Sequence, residues 1–377
     1  MILVSHPLVN QFNRSLVEAL ADAGRLECFH TTLAKGRRQV RVPPWRVVQH
    51  PMRETVRLAA MKLGINWLTR PERGWASWEA VFQSMDRAVS RRIGGATAVY
   101  AYEDGALETF RAAKARGIPC FYDLPIAFVD VVQKLLREEA ERLPTWEPTL
   151  GSTRDSEKKI ARKRAEMDLA DLVICPSKMV QDSLPGGKKS LVAEFGSPVA
   201  RPIREERDGP LRVLFAGAMT QRKGLADLLA AFRMLDTREI QLVVLGAPVA
   251  EMSFYRNQGV DFEHHGPRPH AEFLQTMQSC DVLALPSIIE GRALVQQEAM
   301  SCGLPILVTR NAGGEDLVVD GLTGFLVPIR SPQRIAEKLD WFARHRGELP
   351  AMRRAAQQHA GTLTWARYAA LVMESLP

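Results

Sequence analysis

The chain has 377 residues, of which 46% are apolar and 25% charged, a composition that excludes a disordered or fibrous protein. A single hydrophobic core rarely grows to this length, so two domains are expected. No apolar run reaches the roughly 18 residues of a membrane-spanning helix. The five cysteines form no CxxC pair, so neither a zinc site nor a disulfide framework is indicated, and a reducing cytoplasm is the expected setting.

The net charge of +7 arises entirely in the first half of the chain. Residues 1–200 contain 30 Lys or Arg against 23 Asp or Glu, whereas residues 201–377 contain 20 of each. Between Lys35 and Arg92 there are 13 basic and 4 acidic residues. Such a patch is either a solvated basic face or a surface for an anionic partner, such as a membrane or a lipid-linked acceptor. No compact segment interleaves aromatic with basic residues, so we expect no nucleic-acid partner.

Short apolar runs alternate with amphipathic stretches along the first half, which is typical of parallel α/β domains. The first run lacks the basic region and the cleavage site of a signal peptide and is predicted to be a strand. The predicted strands of this half are MILVS, CFHTTL, ATAVYAY, IPCFYDLP, DLVICPS and SLVAEF.

One stretch between these strands, MRETVRLAAMKLGINWL, is both amphipathic and basic. It carries Arg53, Arg57, Met61 and Trp67. Two interpretations remain open, an ordinary packed helix and an interfacial helix at an anionic membrane.

Three polar residues lie at the ends of predicted strands. His6 follows the first strand, Glu103 follows ATAVYAY, and Asp123 lies at the end of IPCFYDLP. Ligands of open α/β sheets bind outside the carboxyl ends of the strands, so each residue is a candidate acceptor contact. A structural turn at His6, a helix cap at Glu103 and a structural role for Asp123 remain alternatives.

The polar segment GSPVARPIREERDGP predicts a linker between two domains near residue 205. The strand–helix pattern then restarts, with predicted strands LRVLFAGA, IQLVVLG, DVLALPS and LPILVT. We therefore predict one Rossmann-like domain over residues 1–200 and a second over residues 206–361. The expected ligand site is the cleft between them.

The segment LFAGAMTQRKGLADLLAAF predicts an anion site. Its strand ends at Gly217, a loop carries Arg222 and Lys223, and a helix follows. The free N–H groups and partial positive charge of a helix N-terminus favour a bound diphosphate, and Lys223 adds a full charge. An ordinary strand–loop–helix with an exposed basic loop is the alternative.

The segment SIIEGRALVQQEAMSCGLPI contains two glutamates eight positions apart. Glu290 follows a predicted strand, where its carboxylate can accept hydrogen bonds from sugar hydroxyls, and residues 291–294 precede a helix with free N–H groups. Glu298 lies in that partly buried helix and requires hydrogen-bond donors, which adjacent ribose hydroxyls would supply. A capping residue and a solvated helix glutamate are the alternative.

These segments resemble the donor-site signature of glycosyltransferase family 4, retaining enzymes of the GT-B fold. The resemblance rests on PSIIEGRALVQQEAMSCGLPILVT, with its paired glutamates, and on NAGGEDLVVDGLTGFLVP, FAGAMTQRKG and ADLVICPSKMVQDSL. It is strong over residues 160–345 and weak before them. It implies an α/β protein of the GT-B fold, with two Rossmann-like domains facing a central cleft. It also implies that the last helix, residues 362–377, packs back on the first domain.

The resemblance also implies roles for the site residues. Lys223 and Glu290 would be catalytic, with Lys223 neutralising the donor diphosphate and Glu290 holding hydroxyls of the transferred sugar. Glu298 would bind the ribose, and Arg268, within HHGPRPHAEF, would border the base. No Asp-x-Asp triplet occurs, so transfer without a metal or other cofactor is expected. The predicted donor-binding residues are Gly217, Arg222, Lys223, Arg268, Glu290, Gly291, Arg292, Ala293, Leu294 and Glu298.

The implied function is a hexosyltransferase that moves a sugar, with retention, from a nucleotide-diphosphate donor to a glycan or lipid-linked acceptor. Cell-surface polysaccharide or glycolipid synthesis is the expected pathway, in the cytoplasm or on the inner face of the membrane. Ala218 stands where the family has Arg and Pro125 where it often has His, and Arg292 is a candidate replacement for the lost charge. These departures keep two alternatives open, an inactive sugar-nucleotide-binding protein and a GT-B sugar-nucleotide epimerase.

Overall fold

The computed structural model describes residues 1–151, 155–204, 208–236 and 238–377. These residues form two α/β domains, each built on a parallel sheet. The predicted junction near residue 205 lies outside the described residues, as does the start of the second predicted domain at residue 206.

The first sheet has seven strands in the order β3-β2-β1-β4-β5-β6-β7. Leu3 packs into one core cluster whereas Ile2 and Val4 pack into another, so both faces of the central strand are covered. Burial on both faces explains why this strand reads as a continuous apolar run. Its strands are β1 (Ile2–Ser5), β2 (Leu26–Thr31), β3 (Val47–Gln49), β4 (Ala98–Tyr102), β5 (Cys120–Asp123), β6 (Leu172–Cys175) and β7 (Ser190–Val192).

The second sheet has six strands in the order β10-β9-β8-β11-β12-β13. Both sheets thus repeat the doubly wound order 3-2-1-4-5-6, in which ligands bind where the strand order reverses. Here that point lies between β8 and β11. The strands are β8 (Leu211–Ala216), β9 (Ile240–Leu245), β10 (Phe262–His265), β11 (Val282–Leu285), β12 (Ile306–Thr309) and β13 (Gly324–Val327).

Helices connect most of the successive strands, because parallel strands require a crossover between them. In the first domain they are α1 (Gln11–Asp22), α2 (Pro51–Lys62), α3 (Asn66–Thr69), α4 (Trp78–Ser90), α5 (Leu107–Lys114), α6 (Val129–Arg142), α7 (Glu157–Leu169) and α8 (Lys178–Asp182). After them come α9 (Leu225–Phe232), α10 (Met252–Arg256), α11 (His270–Gln278), α12 (Leu294–Ser301), α13 (Pro332–Arg344), α14 (Leu349–Thr362) and α15 (Trp365–Ser375).

The predicted fold class is confirmed, although three strands escaped prediction. β3 and β13 are short, and β10 has the polar sequence FEHH, with three of its four residues only partly buried. The three residues of β3 and the polar sequence of β10 give neither an alternating nor a continuous apolar pattern, whereas β13, with the sequence GFLV, is a short apolar run.

Two segments cross between the domains. The last helix, α15, packs against α1, and its Tyr368 and Val372 belong to the core of the first domain. In the other direction, a 3₁₀ helix at Pro144–Thr149 inserts Trp146 into the core of the second domain, with its ring 4.8 Å from that of Phe254. Each domain therefore contributes to the core of the other.

Candidate functional site

Two glycines shape the loop after β8. Gly217 has φ +139°, and a Cβ there would lie 2.8 Å from Cδ of Lys223, so glycine leaves room for the lysine side chain. Gly224 is left-handed, with φ +78°, and a Cβ there would lie 2.0 Å from the Pro286 carbonyl oxygen. The loop is thereby held against the end of β11, with Lys223 folded over Gly217.

Glu290, on the loop after β11, pairs with both cations of the first loop. Lys223 Nζ lies 2.6 Å from Oε1, and Arg222 Nη1 lies 3.0 Å from Oε2. Burial alone would raise the pKa of the Glu290 carboxyl, but the charges of Arg222 and Lys223 outweigh burial and hold that pKa below its ordinary value. An ionised carboxylate and two cations therefore meet where the strand order reverses.

Backbone hydrogen bonds tie the three neighbouring loops together. The Glu290 N–H donates to the Asn311 carbonyl at 2.9 Å, and Asn311 Nδ2 donates to the Ile288 carbonyl at 2.9 Å. The Ile288 N–H in turn donates to the Arg222 carbonyl at 2.8 Å. The position of the Glu290 carboxylate relative to Lys223 is therefore fixed by backbone as well as by charge.

Gly291 lies against the first domain. A Cβ at this position would lie 1.6 Å from the carbonyl oxygen of Pro125, which follows β5. Ser177, which follows β6, donates its hydroxyl to the Gly291 carbonyl at 2.6 Å. The donor loop expected from sequence thus faces the carboxyl ends of the first sheet across a close backbone contact.

The N–H groups of residues 291–294 differ in their availability. That of Ala293 donates to the Ala312 carbonyl at 3.4 Å. Those of Gly291, Arg292 and Leu294 have no acceptor among the residues that the structure describes. Three N–H groups at the start of α12 therefore remain available to an anion.

Arg292 does not point freely into the cleft. Its guanidinium is fully buried, with Nη1 3.1 Å from Asp316 and 3.2 Å from the Pro176 carbonyl and Nη2 3.5 Å from Glu194. Pro176 and Glu194 belong to the first half of the chain. This arrangement favours a role in joining the domains over the predicted contact with a diphosphate.

Glu298 lies on α12, and Arg268 lies in the loop before α11. Glu298 lines a cavity of about 490 Å³ with Arg201, His270 and Leu274. Its carboxylate has no hydrogen bond or ion pair with the residues that the structure describes. Burial raises the pKa of its carboxyl, against the opposing influence of His270. Arg268 Nη1 donates to Thr276 Oγ1 at 3.0 Å, so its side chain lies along α11.

The three candidates of the first domain lie at the carboxyl ends of β1, β4 and β5. Burial lowers the pKa of His6 to about 3, and its Nδ1 accepts from the Leu8 N–H at 3.2 Å, so Nε2 carries the proton. Burial raises the pKa of Asp123 to about 7. His6 Nε2 and Asp123 Oδ2 are both enclosed and lack a partner within the described residues. Burial also raises the pKa of Glu103, which pairs with Lys163 at 2.8 Å.

Sequence reasoning missed the residues that hold the cationic loop from the opposite domain. Gln221, beside Arg222, donates its N–H to Thr149 Oγ1 at 3.0 Å and its Nε2 to Glu139 Oε1 at 2.6 Å. Arg330 Nε also donates to Glu139, at 2.7 Å. Glu139 lies within the charged run REEAER, whose composition indicates a solvated helix face, so no local pattern indicates its burial.

The described ranges contain neither a group of metal ligands nor a helix that could span a membrane. No three His, Cys, Asp or Glu side chains there are grouped as ligands of a metal ion. No helix there combines the length and the apolar character that crossing a bilayer requires.

Comparison with known proteins finds relatives of the second domain. Residues 197–359 match the family model described as Glycosyl transferases group 1. A D-inositol 3-phosphate glycosyltransferase of Arthrobacter sp. (strain FB24) is 33% identical over 178 residues, which are 44% of this chain and 42% of that protein. The match thus spans less than half the length of this curated relative.

Solved structures resemble the whole chain. Sucrose-phosphate synthase from Thermosynechococcus elongatus superposes with a TM-score of 0.68 at 16% identity, covering 99% of this chain and 97% of that one. Anabaena Alr3699/HepE in complex with UDP gives 0.66 at 16% identity, covering 99% and 98%. Likeness at this identity shows the fold alone, which is the GT-B fold expected from the sequence.

Proposed function

We propose that the protein transfers a sugar from a nucleoside-diphosphate sugar to an acceptor in the cleft between its two domains. The observation that carries the proposal is the cluster of Lys223, Arg222 and Glu290. The Glu290 carboxylate is ionised, and each cation lies within 3.0 Å of one of its two oxygens. Its net positive charge suits a diphosphate, and its carboxylate suits sugar hydroxyls.

The chemistry follows from where charge develops. Transfer breaks the bond between the anomeric carbon and the diphosphate oxygen, so negative charge grows on the leaving nucleoside diphosphate. Preorganised positive groups at that position lower the barrier. Lys223, Arg222 and the N–H groups at the start of α12 supply such groups, and we propose on this basis a transfer that uses no metal ion.

The surroundings of Glu298 indicate where the nucleoside of the donor would bind. The Glu298 carboxylate lacks a partner among the described residues and lines a cavity, and a partly buried carboxylate of this kind is stabilised by hydroxyl donors. We propose that it binds the ribose and that the segment around Arg268 borders the base.

The acceptor side is supported by a smaller cavity in the first domain. It has a volume of about 260 Å³ and is lined by Leu8, Trp78, Phe82, Asp104 and Lys159. Aromatic rings beside charged hydrogen-bonding groups suit a sugar, whose ring has apolar faces and polar edges. The proposed acceptor is a glycan or lipid-linked sugar, in cell-surface polysaccharide or glycolipid synthesis in the cytoplasm.

The stereochemical outcome is also proposed. The paired glutamates at Glu290 and Glu298 resemble those of the retaining family 4 enzymes, and the group 1 match covers both positions. We therefore propose retention at the anomeric carbon. Proton NMR of the first product formed would show the anomeric configuration, and inversion would contradict this assignment.

Thermal unfolding with UDP, GDP, ADP and their common sugar conjugates, without added metal, tests the donor site. A ligand at 100 times its dissociation constant stabilises the native state by about 2.7 kcal/mol. We expect one nucleotide to raise the melting temperature of the wild type, with the effect much reduced in Glu298→Gln and kept in Glu272→Gln, an exposed glutamate on α11. Stabilisation by none of them would contradict the proposal, whereas binding without turnover of any acceptor would favour the inactive alternative.

A further inference from the structure

Helix α2 has its charged residues inward and its apolar residues outward. Glu54 is fully buried and Arg57 nearly so, whereas Met52 and Met61 are 67% and 59% exposed and Leu58 is also exposed. Helices on the surface of globular proteins normally have the opposite orientation, with the apolar stripe toward the core. The reversal leaves an apolar surface turned to solvent.

An ion cluster beneath the helix holds this orientation. Arg57 Nε lies 2.7 Å from Glu54, and Arg38 Nη1 lies 3.0 Å from the same carboxylate. Turning the helix to bury its apolar side chains would strand these buried charges without partners, at high cost in free energy. The outward position of Met52 and Met61 is therefore a stable property of the fold.

The apolar surface continues beyond α2. The side chain of Trp67 is 72% exposed, and those of Leu63, Trp75 and Trp78 are exposed as well. Arg53 lies 4.4 Å from the ring centre of Trp75 and Arg57 3.6 Å from that of Trp78, so stacked guanidinium groups hold two of the rings in place. The surface formed by these residues, here named the α2–α4 face, consists of Met52, Leu58, Met61, Leu63, Trp67, Trp75 and Trp78.

Charge around the α2–α4 face is mainly positive. Lys62, Arg70 and Arg73 are exposed among its apolar residues. Of the nearby acidic residues, Glu54 pairs with Arg57 and Glu79 pairs with Lys159 at 3.2 Å, whereas Glu72 is exposed and accepts from the Ser156 N–H at 3.0 Å. A partner for this surface must therefore be both apolar and anionic.

We infer that the α2–α4 face docks on an anionic phospholipid bilayer. Tryptophan and methionine side chains enter the boundary between headgroups and acyl chains, while lysine and arginine bind the anionic headgroups. Trp78 belongs to this face and also lines the cavity of the first domain with Leu8 and Asp104. The docked protein thus presents that cavity at the membrane surface.

The test is flotation of the full-length protein with vesicles of phosphatidylcholine, alone or mixed with phosphatidylglycerol. We expect binding to the mixed vesicles that weakens with salt, because screening reduces the attraction of the cations. The double substitution Met61→Ser with Trp67→Ser should lower the partition coefficient at least about tenfold. The matched control, Met234→Ser with Val249→Ser, removes exposed apolar groups of the second domain and should leave binding unchanged.

Three results would overturn the inference. The first is a wild type that floats with neither vesicle, and the second is a Met61→Ser, Trp67→Ser variant with wild-type binding. The third is a wild-type dimer in light scattering that the same variant converts to a monomer without any vesicle binding, which would assign the face to a second copy of the chain. Lys62→Glu with Arg70→Glu gives an independent check, since it should weaken binding to mixed vesicles and leave the melting temperature unchanged. Vesicle binding is measured without donor or acceptor, so it stands or falls separately from the proposed transfer.

Discussion

The side chains of Lys223, Arg222 and Glu290 form an ion cluster with more positive than negative charge. Glu290 stays ionised because both cations oppose the effect of its burial. One carboxylate cannot neutralise two cations, so a diphosphate entering beside them meets an unbalanced positive charge at an already ordered position. Little reorganisation is then required when charge develops on the leaving group.

Replacement of Lys223 tests this view. Lys223→Ala should lower turnover about 10²–10³-fold, the loss seen when one preorganised transition-state donor is removed. Initial rates at saturating donor give the measurement. Lys134→Ala, which removes an exposed lysine on α6, serves as the control and should retain the wild-type rate. A Lys223→Ala enzyme within a few-fold of wild type would exclude the lysine from the mechanism.

The buried carboxyl of Asp123 predicts a pH dependence of stability. Burial raises its pKa from 3.8 to about 7, so the folded state favours the protonated form. Its contribution to stability is therefore full below 3.8 and is lost as the pH rises through about 7. Asn is neutral throughout, so the advantage of Asp123→Asn over wild type should grow with pH across this window and level off above it.

Urea unfolding at several pH values measures that difference directly. The upper bound is about 1.4 kcal/mol per pH unit for one group, because a single proton is involved. Glu166, whose pKa burial raises to about 8, titrates in both proteins and cancels in the comparison. Asp130→Asn, at a half-exposed position on α6, serves as the control for the loss of one carboxylate. A difference independent of pH for Asp123→Asn would contradict the shifted pKa.

The sequence predicted that Lys223 and Glu290 belong to one donor site. It did not predict the role of Arg292. Lys223 and Glu290 follow strands of one parallel sheet, so their loops must come together at one edge. The partners of Arg292 are Asp316 and Glu194, and Glu194 belongs to the other domain. Side-chain contacts between domains depend on the domain arrangement, which no local sequence pattern encodes.

Among the elements, the short donor loop 290–294 carries the tightest constraint. Gly291→Ala would place a Cβ 1.6 Å from the Pro125 carbonyl oxygen. The Pro125 carbonyl belongs to the backbone and cannot move away by a change of rotamer, so we expect the loop to separate from the end of β5. Donor binding should then be weaker and the radius of gyration larger. Gly186→Ala, in a turn where a Cβ meets nothing within 4 Å, is the matched control. Small-angle scattering that gives equal radii for both variants would contradict the contact.

Element prediction succeeded where burial was simple and failed where tertiary contacts overrode the pattern. The apolar strands β1, β8 and β11 were evident from the sequence because they are buried on both faces. Helix α2 was correctly placed, but its orientation depends on the buried pair of Glu54 and Arg57. Periodicity assigns charged residues to solvent by default and therefore gave no sign of this reversal.

At the scale of the whole molecule, the two crossings make the domains interdependent. The 3₁₀ helix at Pro144–Thr149 packs Trp146 into the second domain, and α15 returns Tyr368 to the first. Immediately before the first crossing, α6 carries Glu139 to the loop of Gln221. The relative position of the domains and the position of the cationic loop are thus set by the same contacts.

Glu139→Gln tests this coupling. Glu139 is fully buried against Arg142, Arg330 and Gln221, so loss of its charge weakens charged hydrogen bonds to two partly buried guanidinium groups and should lower the free energy of unfolding by about 2 kcal/mol. Donor binding should weaken with it, because Gln221 adjoins Arg222.

The neighbouring Glu138 pairs with the same Arg330 but is 39% exposed, so Glu138→Gln should cost less than about 1 kcal/mol and keep wild-type affinity. Denaturant unfolding and nucleotide titration are measured for both variants. Equal losses of stability and of affinity in the two variants would contradict a specific role for Glu139. Losses in Glu139→Gln alone would show that this residue couples the cationic loop to the first domain.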